Sequence, residues 1–289
     1  MKLFLKKSLL SLSLSLAVAM ASPKAVVMDF GAVDTLQALD ATDLIVALPK
    51  GNLPTYLQSL DWSHAEDSGG MKNPDLTKLE EMEIDFIVIS PRLGNQIEVL
   101  NEYAPVLNFT VDSDHYLESA SKNIKQLAQL ANREQAAEEA LVALTDEIAQ
   151  IQAKIAKSDQ RALVVIHNDG KLMATPTSGS AKFIHNVLGV KNAEKMPKEG
   201  RQAADLPYLT SVAPDLIFVI DRSAAIGSTP MDQEQVEKSL ITPLNEVLDK
   251  EVKIVYLDPT LWYLSGNGLI SIVKEAQEIE AALKQASNQ

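Results

Sequence analysis

The chain has 289 residues, of which 46% are hydrophobic and 22% charged, as is ordinary for a soluble globular protein. This length suits one large domain or two lobes of ordinary size. The net charge of −13 argues against nucleic acid as a partner, because phosphate binding requires basic patches. The sequence contains no cysteine, which excludes disulfides and a lipid-modified N-terminal cysteine.

Residues 1–21 predict a cleavable secretory signal. Three lysines precede an apolar, serine-rich run that is too short to span a bilayer. Ala19-Met20-Ala21 matches the small-x-small cleavage pattern, so we expect cleavage before Ser22. These features predict a protein released into a Gram-negative periplasm without a lipid anchor. The alternative is a signal that is retained as an uncleaved anchor.

Short apolar runs that predict strands alternate with helical segments along the chain. In the first half, strands are predicted at 25–28, 44–48, 86–90 and 105–110, and helices at 34–39, 76–83 and 116–131. In the second half, strands are predicted at 162–166, 171–175, 216–221 and 253–257, and helices at 181–188, 206–213, 233–248 with a break at Pro243, and 269–286. The alternation favours parallel α/β sheets. Asn168-Asp169-Gly170 predicts a hairpin turn.

The segment 135–156 separates the two halves and predicts one long helix. It contains neither glycine nor proline, and its apolar residues recur at a spacing of three and four. A helix of this length spans roughly 33 Å, about the width of a small domain. We interpret it as a rod that holds two α/β lobes apart, and the alternative is an ordinary surface helix.

An internal repeat on the two sides of this helix favours the two-lobe interpretation. Asp75 to Arg92 matches Asp205 to Arg222 at a constant offset, and each unit reads as a capping aspartate, a short helix, a buried strand and an arginine. Ligands of open α/β sheets bind beyond the carboxyl ends of strands, which is where both arginines lie. Two lobes that each offer an arginine would make an anion site, because the guanidinium has a permanent charge and several donors. The alternative is that both arginines are solvated loop residues.

Further site candidates lie in the second half. Trp262 and Tyr263 follow the last predicted strand, where a phenol could hydrogen-bond a ligand or, when deprotonated, bind Fe(III). The alternative is an aromatic pair that fills the space under the loop. Lys182 and Arg201 add possible positive charge to this lobe, although exposed cations are usually just solvated.

The sequence gives no support for catalysis. We find no nucleophile elbow, no phosphate loop and no cysteine nucleophile, and the four histidines lack metal-binding spacing. His185 lies on the apolar face of a predicted helix, so we expect it to be packed rather than ligating. We therefore predict a binding protein without an intrinsic cofactor.

Several motifs resemble the periplasmic iron–siderophore-binding proteins of ABC importers, in particular the catecholate-binding subgroup of the CeuE, VctP and FatB kind. The resemblance runs from about Val26 to the C-terminus. Its motifs are Val27-Met28-Asp29-Phe30-Gly31, Asn52-Leu53-Pro54-x-Tyr56-Leu57, Ile87-Val88-Ile89-Ser90-x-Arg92, Pro214-Asp215-x-Ile217-Phe218-Val219-x-Asp221-Arg222 and Leu257-Asp258-Pro259-x-x-Trp262-Tyr263-Leu264.

The resemblance implies the class III binding-protein fold: two α/β lobes with mostly parallel sheets, joined by one long backbone helix. We expect a signal peptide at 1–21, an N-terminal lobe at 22–133, an interlobe helix at 134–157 and a C-terminal lobe at 158–289. A ferric catecholate siderophore of the enterobactin type would bind in the cleft and pass to an inner-membrane ABC permease. The iron, Fe(III), would arrive as part of the ligand, and we expect the protein to be a monomer.

The resemblance also implies roles for single residues. Arg92 and Arg222 would contact the anionic complex, Tyr263 would lie against the metal centre as a possible ligand, and Trp262 would pack behind it. Tyr56, Lys182 and Arg201 complete the expected ligand-binding set, in which Lys182 is at best a substitute for an arginine of the relatives. Gly200 stands where some relatives carry an iron-binding histidine, so a ligand that already saturates its iron is favoured.

Other cargoes and other classes of protein stay open at this stage. The same fold could bind haem, a corrinoid or a hydroxamate siderophore. A secreted α/β enzyme and a periplasmic scaffold without a small-molecule ligand are the alternatives from other classes.

Overall fold

The computed structural model describes residues 22–197 and 200–287, so the predicted signal segment lies outside the described residues. No helix within these ranges is both long enough and apolar enough to cross a bilayer.

A parallel five-stranded sheet forms the centre of the N-terminal lobe. Its strand order is β3-β2-β1-β4-β5, and every pairing is parallel. Its central strands are fully buried, because a sheet covered by helices on both faces has no solvent-facing side. The strands are β1 (Ala25–Met28), β2 (Ile45–Leu48), β3 (Glu66–Asp67), β4 (Phe86–Ile89) and β5 (Val106–Asn108).

A mixed six-stranded sheet forms the centre of the C-terminal lobe. Its order is β11-β10-β6-β7-β9, with β8 paired to β6. Only β7 runs against its neighbours, because the predicted turn at Asp169-Gly170 reverses the chain after β6. The strands are β6 (Arg161–Asn168), β7 (Lys171–Ala174), β8 (Lys191–Asn192), β9 (Gln202–Ala203), β10 (Leu216–Asp221) and β11 (Lys253–Leu257).

Helices cover both sheets. They are α1 (Phe30–Ala38), α2 (Leu76–Glu80), α3 (Ile97–Leu100), α4 (Tyr116–Ala131), α5 (Glu134–Ile155), α6 (Gly179–Lys182), α7 (Leu206–Val212), α8 (Arg222–Ala225), α9 (Gln233–Val236), α10 (Thr242–Leu248), α11 (Pro259–Leu264) and α12 (Leu269–Ser287). Short 3-10 turns occupy Thr42–Leu44, Thr55–Leu57 and Pro91–Gln96, and π turns occupy Phe183–Val187 and Glu237–Ile241.

The predicted long helix is confirmed as α5, which buries the predicted apolar stripe of Leu141, Leu144, Ile148, Ile151 and Ile155. It is not the only long element between the lobes. The final helix, α12, lies along α5 and also packs against α1 of the N-terminal lobe. The two helices α5 and α12 therefore join the lobes side by side. One hydrophobic core continues from one sheet to the other.

The repeat is also confirmed. Asp75 caps α2 and Asp205 caps α7, each by accepting a hydrogen bond from the amide three residues later. β4 and β10 follow these helices. The two units differ after their strands, because Arg92 lies in a 3-10 turn whereas Arg222 begins the short helix α8.

Several predicted element boundaries differ from those of the structure. The helix predicted at 34–39 begins at Phe30, because Asp29 caps it through the amide of Ala32. Pro243 does not break its helix, because it occupies the first turn of α10, where a missing N–H costs nothing. The helix predicted at 181–188 becomes α6 followed by a π turn.

Candidate functional site

Arg92 reaches across the gap between the lobes. Its 3-10 turn follows β4 in the N-terminal lobe, and its Nη2 donates a hydrogen bond to the main-chain oxygen of Tyr263 in the C-terminal lobe. The guanidinium carbon lies 5.1 Å from the centroid of the Tyr263 ring, within the range of a cation–π contact.

Arg222 approaches the same ring from its own lobe. Its Nε donates to the hydroxyl of Tyr263 at 2.8 Å, and its guanidinium carbon lies 5.4 Å from the ring centroid. Its Nη1 donates to the side-chain oxygen of Asn168. The arginines predicted from the repeat are therefore brought together, with one phenol between them.

The two guanidinium groups change the acidity of Tyr263. Partial burial acts to raise the pKa of the phenol, but the hydrogen bond from Arg222 and the charges of Arg222, Arg92 and Lys72 outweigh it and lower the pKa below 10.0. Lys72 was not predicted as a site residue. The arrangement favours a phenolate more than an ordinary tyrosine site does, and it presents concentrated positive charge on an acidic protein.

Trp262 packs behind Tyr263. The indole is 5% exposed, meets the ring of Phe183 edge-on at 6.2 Å, and donates from Nε1 to Glu278 at 2.6 Å. Its polar edge is therefore already paired within the protein. Trp262 supports the loop and contributes one wall of a cavity.

That cavity lies between the lobes and has a volume of about 170 Å³. Residues of both lobes line it, among them Arg92, Asp29, Tyr116, Trp262 and Glu275. Pockets for small molecules usually measure about 300–1,000 Å³. In this conformation the cavity is smaller than that range, and neither Tyr263 nor Arg222 lines it.

Lys182 pairs across the same gap. Its ammonium lies 2.6 Å from the carboxylate of Asp114, so it links α6 of the C-terminal lobe to the loop before α4 in the N-terminal lobe. This contact and the bond from Arg92 to the Tyr263 carbonyl both cross the opening. Both would have to change if a ligand separates the lobes.

Tyr56 lies apart from the arginine pair. It belongs to a buried polar contact between α1 and the start of α12, which we call the seam. Its hydroxyl donates to Asp34 at 2.8 Å and also contacts Ser265. Burial raises the pKa of this phenol, and the neighbouring charge of Asp34 adds to the effect. The structure gives its polar atom a role in interlobe packing.

Arg201 is not brought to the arginine pair. It is exposed and precedes β9, which is three strand spacings, or about 14 Å, from β10. The register places Gln202 level with Val165, in the middle of β6, whereas Arg222 follows the end of β10. The sequence could not show this separation because a hairpin and an edge strand intervene.

The seam contains buried acids that the sequence analysis did not select. Burial raises the pKa of Asp29 to about 6 and that of Asp34 to about 7, despite hydrogen bonds that favour the charged forms. Burial also raises the pKa of Glu275 well above its ordinary value. In the sequence, only the position of Asp29 and Asp34 after the first predicted strand could have indicated that these acids matter.

The described part of the chain contains no group of three or more His, Cys, Asp or Glu side chains that could hold a metal ion. His185 is packed as predicted: its Nδ1 contacts the Val190 carbonyl at 2.9 Å, and burial lowers its pKa.

Comparisons with known proteins agree with this architecture. A family model described as "periplasmic binding protein" matches residues 26–241. The petrobactin-binding protein YclQ of Bacillus subtilis is 33% identical over 263 residues, covering 90% of this chain and 82% of the relative. The ferric-anguibactin-binding protein FatB of Vibrio anguillarum is 24% identical over 85% of this chain and 77% of its own.

Solved structures show the same fold. The crystal structure of YclQ superposes with a TM-score of 0.82, covering 91% of this chain and 92% of that one. That of the iron-uptake substrate-binding protein PiuA from Streptococcus pneumoniae has a TM-score of 0.77 at 32% identity, covering 89% and 93%. These relatives are binding proteins rather than enzymes. The predicted class III fold is confirmed, and the chain belongs to the periplasmic binding protein family of ABC import systems.

Proposed function

We propose that this protein captures a ferric catecholate siderophore between its lobes and delivers it to an inner-membrane ABC permease. The observation that carries the proposal is the convergence of Arg92 and Arg222, one from each lobe, on the single phenol of Tyr263. A complex of three catecholates with Fe(III) carries three negative charges. Two permanent cations in a partly buried site complement such a ligand.

The relatives support a siderophore as the ligand class. YclQ and FatB are named for petrobactin and ferric anguibactin, and the chain covers most of both relatives. The charge of the site supports the catecholate class within it. A hydroxamate complex lacks the large negative charge that two arginines and Lys72 would complement.

We propose that the lobes separate when the ligand enters. The cavity between them is about 170 Å³, below the usual size of a small-molecule site. We propose that the ligand displaces the Arg92 bond to the Tyr263 carbonyl and the ion pair of Lys182 with Asp114. Arg92 would then turn its freed donors toward the catecholate oxygens, and Arg222 would present its remaining donors to them.

Iron enters this account as part of the ligand. The Tyr263 phenol is the protein oxygen most suited to Fe(III), because its lowered pKa reduces the cost of forming a phenolate. A siderophore that leaves a coordination position open would use this oxygen, and a saturated one would leave it as a hydrogen-bond partner. We further propose that the protein is a secreted periplasmic monomer that works with a permease.

A titration with a panel of ligands tests the proposal. Trp262 lies beside the site, so binding of a coloured iron complex should quench tryptophan fluorescence. We expect saturable quenching by a ferric tris-catecholate complex and much weaker quenching by a ferric hydroxamate, haem or a corrinoid. If the folded protein binds none of the catecholate complexes, the catecholate assignment is wrong, and tight binding of another cargo would replace it.

A further inference from the structure

At the carboxyl ends of β6 and β10, side chains join residue pairs that follow the same register as the paired strands. β6 and β10 pair at a constant offset, from Ala162 with Leu216 to His167 with Asp221. The next two residue pairs at that offset are joined through side chains. Arg222 donates to Asn168, and the amide of Asp169 donates to the hydroxyl of Ser223 at 2.9 Å.

His167, which pairs with Asp221 at the end of the strands, is buried and has a defined tautomer. The amide of Gly170 donates to Nε2 of His167 at 3.0 Å, so Nε2 must be an acceptor. The proton of the neutral imidazole therefore lies on Nδ1, which donates to Asp221 Oδ1 at 2.7 Å. Asp221 also accepts from the amides of Ala224 and Met231. Both the turn after β6 and the start of α8 are fixed by this pair.

Arg92 differs from Arg222 in the lobe that supplies its hydrogen-bond partner. Its hydrogen bond to the main-chain oxygen of Tyr263 runs to the other lobe. When the lobes separate, Arg92 loses this partner, whereas Arg222 keeps Asn168.

We infer that Asn168 is a positioning residue that holds the guanidinium of Arg222 toward the ligand, in both the closed and the open protein. The inference rests on the proposed function for its ligand. Asn168 need not touch the siderophore. It accepts from Nη1 and leaves Nε directed at the Tyr263 hydroxyl, so the guanidinium plane is fixed by two points.

A double-mutant cycle tests the inference with a ferric tris-catecholate complex as the ligand. The variants are Asn168→Ala, Arg222→Ala and the two combined, and Asn186→Ala serves as a control because Asn186 is an exposed asparagine of the same lobe. We expect Asn168→Ala to weaken binding by about fivefold to tenfold, the usual worth of one hydrogen bond. The double variant should bind no more weakly than Arg222→Ala alone, because Asn168 acts only through Arg222.

The cycle separates the two hypotheses. Full affinity in Asn168→Ala, or an effect that adds completely to that of Arg222→Ala, overturns the positioning role and leaves the proposed function intact. Full affinity in Arg222→Ala contradicts the proposed site itself.

A second readout needs no ligand. If Asn168 directs Arg222 at Tyr263, Asn168→Ala should move the pKa of the Tyr263 phenol back toward its ordinary value, as followed by ultraviolet absorbance with Tyr263→Phe as the blank. An unchanged Tyr263 titration in Asn168→Ala overturns the inference even if the ferric complex does not bind.

Discussion

The carboxylate of Asp34 accepts a hydrogen bond from the main-chain amide of Ser271 at 3.2 Å, although these residues are 237 positions apart. It also accepts from the amide of Ile270 at 3.0 Å, and the neighbouring Thr35 hydroxyl accepts from Leu269. The first turn of α12 is therefore capped by side chains of α1. A helix start needs such acceptors because its first amides have no partner within the helix. This contact fixes the two lobes to each other away from the arginine pair.

The cap predicts an unusual pH dependence of stability. Burial raises the pKa of Asp34 from 3.8 to about 7 in the folded protein. Between these values the folded state keeps a proton that the unfolded state has released, so this group's contribution to the free energy of unfolding falls as the pH rises. The contribution is complete below pH 3.8 and is lost as the pH passes about 7.

Asp34→Asn isolates this contribution. The variant should be less stable throughout, because an amide cannot accept at both positions, but its deficit should shrink by up to about a few kcal/mol between acidic and neutral pH. Urea unfolding at several pH values measures the deficit, with exposed Asp146→Asn as the control. A deficit that is constant with pH would contradict the raised pKa of Asp34.

The close contact of two glycines in the same seam predicts a steric effect. A methyl group on Gly268 would overlap the carbonyl oxygen of Gly31 and the carboxylate of Asp34. We expect Gly268→Ala to lower the free energy of unfolding by about 1–3 kcal/mol or more, because backbone atoms must move apart. Gly94→Ala is the matched control, since its added methyl group would meet no atom within 4 Å. Equal stability of both variants would show that the seam is not packed this closely.

The acidity of Tyr263 gives a prediction that needs no ligand. Burial raises the pKa of four other tyrosines, Tyr56, Tyr116, Tyr208 and Tyr256, whereas the two arginines and Lys72 lower that of Tyr263. Tyrosine absorbance rises as the phenols deprotonate with increasing pH. The part of this rise that occurs at the lowest pH should therefore be missing in Tyr263→Phe. Arg222→Ala should move that component to higher pH. If Tyr263→Phe removes only a late component, the arginines do not act on the phenol as described.

Much of this fold could be predicted from sequence because its determinants are local. The apolar stripe of α5 and the capping aspartates of the two repeat units depend on residues within a few positions of each other. The convergence of Arg92 and Arg222 was also predictable, since strands of open sheets present their carboxyl ends to one cleft.

The seam could not be predicted in the same way. Asp34 meets Ile270 and Ser271 only after both lobes have formed, and no local pattern marks Gly31 as the partner of Gly268. Gly31 precedes the helix predicted at 34–39, whereas in the structure it lies within α1, where Gly268 approaches it closely. Tyr56 was assigned to the ligand with the resemblance, and its contact with Ser265, which is 209 positions away, could not be read from any local pattern.

The central claim is that one arginine from each lobe holds an anionic ligand, and the affinity for a ferric tris-catecholate complex tests it most directly. We expect Arg92→Ala and Arg222→Ala each to weaken binding by roughly tenfold or more, as for a lost charge-assisted hydrogen bond. Arg133→Ala, in the turn between α4 and α5, should bind like the unaltered protein. Unaltered affinity in either Arg92→Ala or Arg222→Ala would contradict the account.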